Sequence, residues 1–560
     1  VVSHKDGTGN FAEAPGYMVG GKTGTAEKIT QTGGYSRKAN IATFVATFPV
    51  HDPRYVLAIL VDEPKGQKHS HGYATAGWVA APAAVDSRRV IEGTLFFALA
   101  GSKQDGRSFI EEALAKHPSA IITDERPVPS ELAKIAAAAT VPLMQCANPR
   151  QVMARIAARF WPSQPGLIAA VTGTNGKTST AEFLRQLWCR VTWPAVALGT
   201  LGVTGTEGLT LNSHLPGLPG LTTPDSLSLH NAVNQLAKAG ATHMALEASS
   251  HGLEQHRLDG LNIHVAAFTN LSRDHLDHHP DMDSYFAAKK RLFTALLIAG
   301  GAAVINSDDP YSKDIIKALK NREVVVKTYG FDSHADFRVD AINPSGDGLE
   351  LKVIYQGQRW DIPLAMSGTF QALNALAAAA MAHASGLALH DSLGGLPYLT
   401  AAPGRMQTVY GHPKGARIIV DYAHTPDALA AALGALRPEA QGNLVVLFGC
   451  GGDRDPGKRA EMGKVAANTA DRIIVTDDNP RSEDPAAIRA AIMRACPKAE
   501  EISPRDTAII NVINVLEEGD VLLIAGKGHE SVQLIGTETL PFDDASVASN
   551  AIKALQGALQ

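Results

Sequence analysis

A chain of 560 residues is too long for one core, and three to five domains are expected. Its composition, 45% apolar and 19% charged with a formal net charge of -5, is that of a soluble globular protein. It lacks the global basic field of nucleic-acid binders or polybasic membrane partners, so an anionic ligand must be held by local sites. Four scattered cysteines, Cys146, Cys189, Cys450 and Cys496, form no C-x-x-C pair. That argues against a disulfide framework or a zinc site and for a reducing compartment. No apolar run reaches membrane-spanning length, and no signal peptide is visible.

Residues 1–84 open with Gly20-Gly21-Lys22-Thr23-Gly24-Thr25-Ala26, followed by β-rich runs at Ile41 to Phe48 and Tyr55 to Val61. The turn signal His51-Asp52-Pro53-Arg54 between them predicts an antiparallel hairpin. The GGKTGTAEK and GYATAGWVAAP segments resemble the C-terminal end of a penicillin-binding protein transpeptidase. The S-x-x-K nucleophile box of those enzymes does not occur here, so no acyl-enzyme is expected and the segment reads as a catalytically dead remnant.

Residues 85–165 alternate strands, such as Ala120 to Thr123, with a helical stretch from Phe109, which predicts a small α/β domain. Its Val85-Asp86-Ser87-Arg88 segment is by itself a capped turn.

Residues 166–400 begin with the apolar run Leu167 to Val171 and then Gly173-Thr174-Asn175-Gly176-Lys177-Thr178-Ser179-Thr180. A strand, a glycine turn with lysine and hydroxyls, and a helix start together read as a phosphate cradle. Backbone N–H groups and the helix N-terminus face the phosphate, Lys177 adds a full charge, and Thr178 sits where a hydroxyl can hold Mg²⁺. Phe183, Leu184, Leu187 and Trp188 share one face of the helix that follows. Val171 stands where the common P-loop pattern has glycine. Further strands end at Glu247, at Thr269-Asn270 and at Asn306. Ligands of open parallel sheets bind at that edge, so Glu247 and His275 can lie beside Lys177. The run Asp274 to His279 also admits a zinc reading, but a carboxylate and one imidazole near a triphosphate suit Mg²⁺ better, and His278 and His279 read as solvated loop residues.

Residues 401–560 open with Pro403-Gly404-Arg405-Met406 as a linker, then repeat the pattern. Strands lead to Asp421, to Gly449-Cys450-Gly451-Gly452-Asp453-Arg454, to Asp478-Asn479-Pro480-Arg481 and to Gly526-Lys527-Gly528-His529-Glu530. This predicts a second doubly wound unit, and no G-x-G-x-x-G dinucleotide turn is matched.

Five motifs in order, GTNGKTST, LTTPDS, EASSHGLEQHR, FTNLSRDHLDHH and YFAAKKRLF, resemble the Mur ligase family. That resemblance implies an α/β architecture of three domains: a small N-terminal unit, a P-loop ATPase-like centre and a Rossmann-like C-terminal unit, here preceded by the transpeptidase fragment. It implies ATP-dependent amide formation on a UDP-muramyl peptide, with catalytic roles for Lys177, Glu247, His275 and Lys289. ATP would meet Gly173, Thr174, Asn175, Gly176, Lys177, Thr178, Ser179, Asn374, Arg405 and Asp421; Gln371 stands where many relatives carry a second asparagine. The UDP-muramyl dipeptide would meet Val85, Ser87, Ser102, Lys103, Gln104, Thr222, Thr223, Ser249, Gln255 and Arg257. Mg²⁺ would be held by Thr178, Glu247, His275 and Lys289, the last as a CO2-derived carbamate. The DNPR segment resembles the branch that adds meso-diaminopimelate, through Arg454, Asp478, Asn479, Pro480, Arg481, Gly526 and Glu530. The chemistry fits: diaminopimelate has a distal carboxylate for Arg481 and Arg454 and a distal ammonium for Glu530 and Asp478. The acceptor substrate is then UDP-N-acetylmuramoyl-L-alanyl-D-glutamate, and a cytoplasmic monomer with no nucleic-acid or membrane partner is expected. The alternatives are a lysine-adding relative, a folylpolyglutamate synthase relative and an inert cell-wall scaffold.

Overall fold

A computed structural model describes residues 20–29, 35–48, 55–62, 83–101, 104–209, 221–274, 278–346 and 348–559. Ser102, Lys103, His275 and the GYATAGWVAAP segment lie outside the described residues. At the front, the strands Gly20–Ile29, Tyr35–Phe48 and Tyr55–Asp62 form an antiparallel three-stranded sheet. Lys22-Thr23-Gly24 runs within the first strand, and the expected hairpin closes with Phe48 opposite Tyr55.

A small parallel sheet follows, built from Ala83–Ala84, Leu95–Ala98, Ala120–Thr123 and Leu143–Gln145. Successive strand residues point to opposite faces, so Phe96 packs with Ile110, Leu114 and Ile121, while Phe97 packs with Ile122 and Met153.

The central unit is a ten-stranded mixed sheet. Its parallel part runs in the order Ala195–Gly199, His243–Glu247, Leu167–Thr172, Ile263–Phe268, Leu297–Asn306, Val325–Gly330 and Phe337–Ser345. The same alternation divides the core. Ala169 and Val171 face the helices Lys177–Arg190 and Thr369–Ala384, whereas Ile168 and Ala170 face Ser226–Lys238 and the Met282–Arg291 helix. Phe183, Leu184, Leu187 and Trp188 are all buried, and the Trp188 indole N–H donates to Ser385 Oγ at 2.9 Å. Full burial of such side chains contributes roughly 1.5–3 kcal/mol each. The alanine run of Thr369–Ala384 has no bulk to hold it off the sheet and lies beside Lys177–Arg190. Two features depart from a purely doubly wound centre: Gly202–Thr204 pairs antiparallel with Ala195–Gly199 at one edge, and Gly348–Tyr355 and Gln358–Leu364 extend the other antiparallel as a meander.

In the last unit, Arg417–Asp421, Val521–Ala525, Leu444–Phe448, Arg472–Val475 and Glu500–Glu501 lie parallel, with Gln407–Val409 antiparallel at one edge. Arg505 and Asp544, both fully buried, pair at 2.7 and 2.8 Å. Arg505 also donates to the carbonyls of Asp477 and Ala525, so one guanidinium ties the helix Asp544–Leu559 to the ends of two strands. Buried charges persist only when paired in this way. Among the described residues no helix is long and apolar enough to cross a membrane.

Candidate active site

The glycine turn leaves the central sheet at the carboxyl end of Leu167–Thr172 and enters the helix Lys177–Arg190. Two of its residues must be glycine. Gly176 caps the helix at φ +87° and Gly173 sits at φ +155°. A Cβ at Gly173 would lie 1.9 Å from Thr269 Oγ1, and one at Gly176 would lie 2.3 Å from Asn374 Oδ1. Thr269 Oγ1 donates to the Asn175 carbonyl at 2.6 Å, and Asn270 Oδ1 accepts from the Asn175 N–H at 2.9 Å. The turn is therefore clamped by the neighbouring strand's end.

Cationic and anionic groups converge on this turn. Lys177 Nζ donates to the Gly173 and Thr174 carbonyls at 2.8 Å each. Desolvation holds the Lys177 ammonium below the ordinary lysine range, against the pull of Glu247. Buried Glu247 accepts from Thr178 Oγ1 at 2.9 Å and from the Thr200 N–H and hydroxyl at 2.7 and 3.1 Å. Lys289, only 1% exposed, donates to the Gly173 carbonyl at 2.7 Å and lies over the Tyr285 ring at 4.4 Å. Burial, then repulsion from Lys177, holds its amine well below the ordinary lysine range, and Asp274 opposes that shift. The Tyr285 hydroxyl, pushed up to about 12 by burial, bonds Thr174 Oγ1 at 3.1 Å.

A hydroxyl-rich cluster borders Glu247. Thr223 Oγ1 donates to the Glu247 carbonyl at 2.8 Å and accepts from the Ser249 N–H at 3.0 Å. Ser249 Oγ caps the short helix Ser250–Glu254. Arg257 donates to the Thr223 carbonyl and to Gln255 Oε1, and Thr200 Oγ1 reaches Thr222 Oγ1 at 3.2 Å. Thus Thr222, Thr223, Ser249, Gln255 and Arg257 form one patch. Farther toward the chain start, exposed Val85 and buried Ser87 follow the strand Ala83–Ala84, and exposed Gln104 follows Leu95–Ala98. Both loops lie at the carboxyl edge of that parallel sheet. Ser87 Oγ is engaged by Glu112 at 2.9 Å.

The histidine run differs from the expectation of two solvated residues. His279 is buried against Tyr285, and His278 is half-buried, with Nε2 2.6 Å from Glu254 Oε2. Together with His251 their ring nitrogens come within 4.8 Å of one another. Packing against Tyr285 on the next helix and against His251 and Glu254 sets their exposure.

In the last unit the Asp478-Asn479-Pro480-Arg481 turn is folded onto the hairpin of Val532–Ile535 and Glu538–Pro541. Asn479 Nδ2 donates to Glu530 Oε2 at 2.7 Å, and Asn479 Oδ1 accepts from the Leu534 N–H at 3.0 Å. Fully buried Lys527 donates to Asn479 Oδ1, Glu530 Oε2 and the Val532 carbonyl at 3.0, 3.2 and 2.7 Å. Arg481 occupies a left-handed backbone, φ +52°, fixed by Leu534 and Gly536, and its guanidinium donates to the Gly452 carbonyl at 2.8 Å. Gly451 lies between Arg481 and Arg454, and Gly526 meets Asp478 Oδ2 where a Cβ would stand 2.6 Å away. Of the seven residues the resemblance assigns to diaminopimelate, Asn479 contacts Glu530, Asp478 lies against Gly526, and Arg481 reaches the Gly451–Gly452 turn that leads to Arg454.

The linker joins the two regions. Met406 N–H donates to Asp421 Oδ2 at 2.8 Å, and the Arg405 guanidinium stacks on Tyr422 at 4.7 Å. Thr200 was not singled out from sequence, and neither were the contacts of Lys527 with Asn479 or of Gln371 with Asn374 and the Arg405 carbonyl. All three are ordinary residues made significant by a long-range contact, although Lys527 stands inside the glycine-rich GKGHE run, which was the available signal.

A glycine phosphate turn at the switch of a parallel sheet, with carboxylate, hydroxyl and lysine side chains around it, defines a nucleotide-using α/β enzyme. Comparisons with known proteins narrow that class. Residues 84–161 match the Mur ligase family catalytic domain, residues 171–382 the Mur ligase middle domain, and residues 404–528 the Mur ligase glutamate ligase domain. Residues 1–84 match the penicillin binding protein transpeptidase domain. A protein of Bradyrhizobium diazoefficiens named UDP-N-acetylmuramoyl-L-alanyl-D-glutamate--2,6-diaminopimelate ligase is 47% identical over 472 residues, 84% of this chain and 94% of its own. One of Caulobacter vibrioides with the same name is 44% identical, over 86% of this chain and 96% of its own. A solved structure of an enzyme so named superposes with a TM-score of 0.61 at 35% identity, covering 85% of this chain and 95% of that one. The chain belongs to the Mur ligase family.

Proposed function

We infer that the protein is an ATP-dependent ligase that joins meso-2,6-diaminopimelate to UDP-N-acetylmuramoyl-L-alanyl-D-glutamate in cytoplasmic peptidoglycan precursor synthesis, acting as a monomer. The observation that carries the acceptor assignment is the DNPR turn, with Arg481 and Arg454 flanking Gly451 beside the Lys527–Asn479–Glu530 network. Two guanidinium groups suit the distal carboxylate, and Asp478 and Glu530 suit the distal ammonium. Because Lys527 and Asn479 already engage Glu530 Oε2, that carboxylate's direction is preset.

In this reading the D-glutamate side-chain carboxylate attacks the γ-phosphorus of ATP, and the bond to the β-phosphate oxygen breaks to release ADP. The diaminopimelate amine then attacks the acyl phosphate carbonyl, a proton leaves the nitrogen, and phosphate departs. Lys177 and the N–H groups from Gly176 to Ser179 neutralise charge developing on the transferred group. Asn374, Arg405 and Asp421 border the nucleotide, while Val85, Ser87, Ser102, Lys103 and Gln104 hold the uridine end and the Thr222–Arg257 patch holds the muramyl peptide. Closure of the last unit excludes water that would hydrolyse the acyl phosphate.

The donor set at Glu247 fits Mg²⁺: a carboxylate and the Thr178 hydroxyl 2.9 Å apart are hard oxygen ligands. With His275 and carbamylated Lys289 they would hold it, and the ion when bound supplies positive charge to the phosphate oxygens. The amine of Lys289 suits carbamylation because its burial favours the neutral form. CO2 adds to a neutral amine, an N–C bond forms and one proton is released, so a buried amine becomes a carboxylate-like ligand.

Labelling tests the acyl phosphate. With ¹⁸O in the D-glutamate side-chain carboxylate, one label atom is expected in each phosphate released, by mass spectrometry; unlabelled phosphate would mean that water or another oxygen attacked ATP.

A further inference from the structure

We propose that Gln371 is a positioning residue that couples the phosphate turn to the linker of the last unit, so that nucleotide seated on the turn favours closure. The inference rests on the ligase reading above and on a continuous chain of contacts. Gly176 of the turn abuts Asn374 Oδ1, so near that no side chain could stand between them. Asn374 Nδ2 donates to Gln371 Oε1 at 2.9 Å. Gln371 Nε2 then donates to the Arg405 carbonyl at 2.8 Å. Both amides are buried, at 1% and 7% exposure, so their orientations are fixed by these partners rather than by water.

The contacts meet at one place. Gln371 and Asn374 occupy the first turns of the helix Thr369–Ala384. Just before it, the Gly368 N–H donates to Glu439 Oε1 of the last unit at 2.8 Å, and Arg417 of that unit pairs with Glu439 at 2.8 Å and bonds Ser367. The linker adjoining Arg405 holds two left-handed residues, Gly404 at φ +64° and Met406 at φ +51°, and Met406 is pinned to Asp421. A side chain with one acceptor and one donor, in this orientation, is what joins Asn374 to the Arg405 carbonyl. Leucine has neither. Glutamate keeps the acceptor toward Asn374 and loses the donor toward Arg405.

The test compares wild type with Gln371→Glu and Gln371→Leu. Three readouts are taken: calorimetric affinity for a non-hydrolysable ATP analogue, the radius of gyration by small-angle X-ray scattering with analogue, dipeptide and diaminopimelate, and the separate values of kcat and KM. Wild type should contract when ligands are added. Gln371→Glu should keep the analogue affinity within about threefold, lose the contraction, and lower kcat about tenfold with little change in the KM for ATP. Gln371→Leu should lose contraction and weaken the analogue as well, with a melting temperature near wild type reporting that it folds. A wild type that does not contract, a Gln371→Glu chain that contracts and turns over normally, or one that loses more than tenfold in analogue affinity yet contracts, would each overturn the coupling. Affinity and scattering need no turnover, so failure of the ligase reading itself would show separately, as a wild type that contracts but forms no amide.

Discussion

Lys289→Ala is expected to lower kcat by about 10²–10³, the scale of removing one preorganised charge-stabilising group, with part of the rate returning when formate or acetate is added. The reason lies in the surroundings of Lys289. Its Nζ is nearly sealed, 2.7 Å from the Gly173 carbonyl, over the Tyr285 ring and near Lys177. A buried ammonium beside a second ammonium is unfavourable, and the amine is driven toward its neutral form. That is the form that captures CO2. The alanine chain leaves a small cavity into which a short carboxylate can bring the missing oxygens, whereas a purely structural lysine would not be replaced in this way. Depleting CO2 from the wild-type assay should lower the rate, and bicarbonate should restore it. A Lys289→Ala enzyme working at the wild-type rate would remove the carbamate from the account.

Arg481→Asn is expected to lower kcat/KM for diaminopimelate by about 10²–10⁴, the range for leaving a recognised polar group unpaired. Asparagine is chosen because it tolerates the left-handed backbone at φ +52°, so strain at the turn is held small. Activity with lysine, which has no distal carboxylate, should change far less, and the preference between the two acceptors should narrow. Competition assays with both amino acids read this directly. Equal losses for both acceptors would mean that Arg481 only braces Gly452 and the hairpin, through the bonds it also makes there.

Much of this site was legible because its signals are local. A glycine turn after an apolar run and before a helical face announces itself within some twenty residues, and the strand ends at Glu247, Asp421 and Asp478 follow from short apolar runs. Within each parallel sheet the strand ends share one edge, which gathers Glu247 with the glycine turn in the central unit and Asp421 with Asp478 in the last one. The family resemblance supplied what no spacing gives, such as the role of Lys289, which alone reads as a surface helix lysine. Other features were hidden for physical reasons. Thr200 matters through the two bonds it gives Glu247, forty-seven positions away. Lys527 matters because the hairpin from Val532 closes over it. His279 sits in a polar run yet is buried, since exposure depends on what the chain packs against. The meander through Leu349, Leu351, Val353 and Tyr355 did carry a period-two signal and could have been read as strand.

The central claim is the identity of the two substrates, and phosphate release tests it most directly. The chain is incubated with ATP, Mg²⁺ and UDP-N-acetylmuramoyl-L-alanyl-D-glutamate, with diaminopimelate, lysine or glutamate as acceptor. Sustained release that requires the dipeptide and is greatest with meso-diaminopimelate is the expected result; equal or faster release with lysine or glutamate, or none with any acceptor, would contradict it.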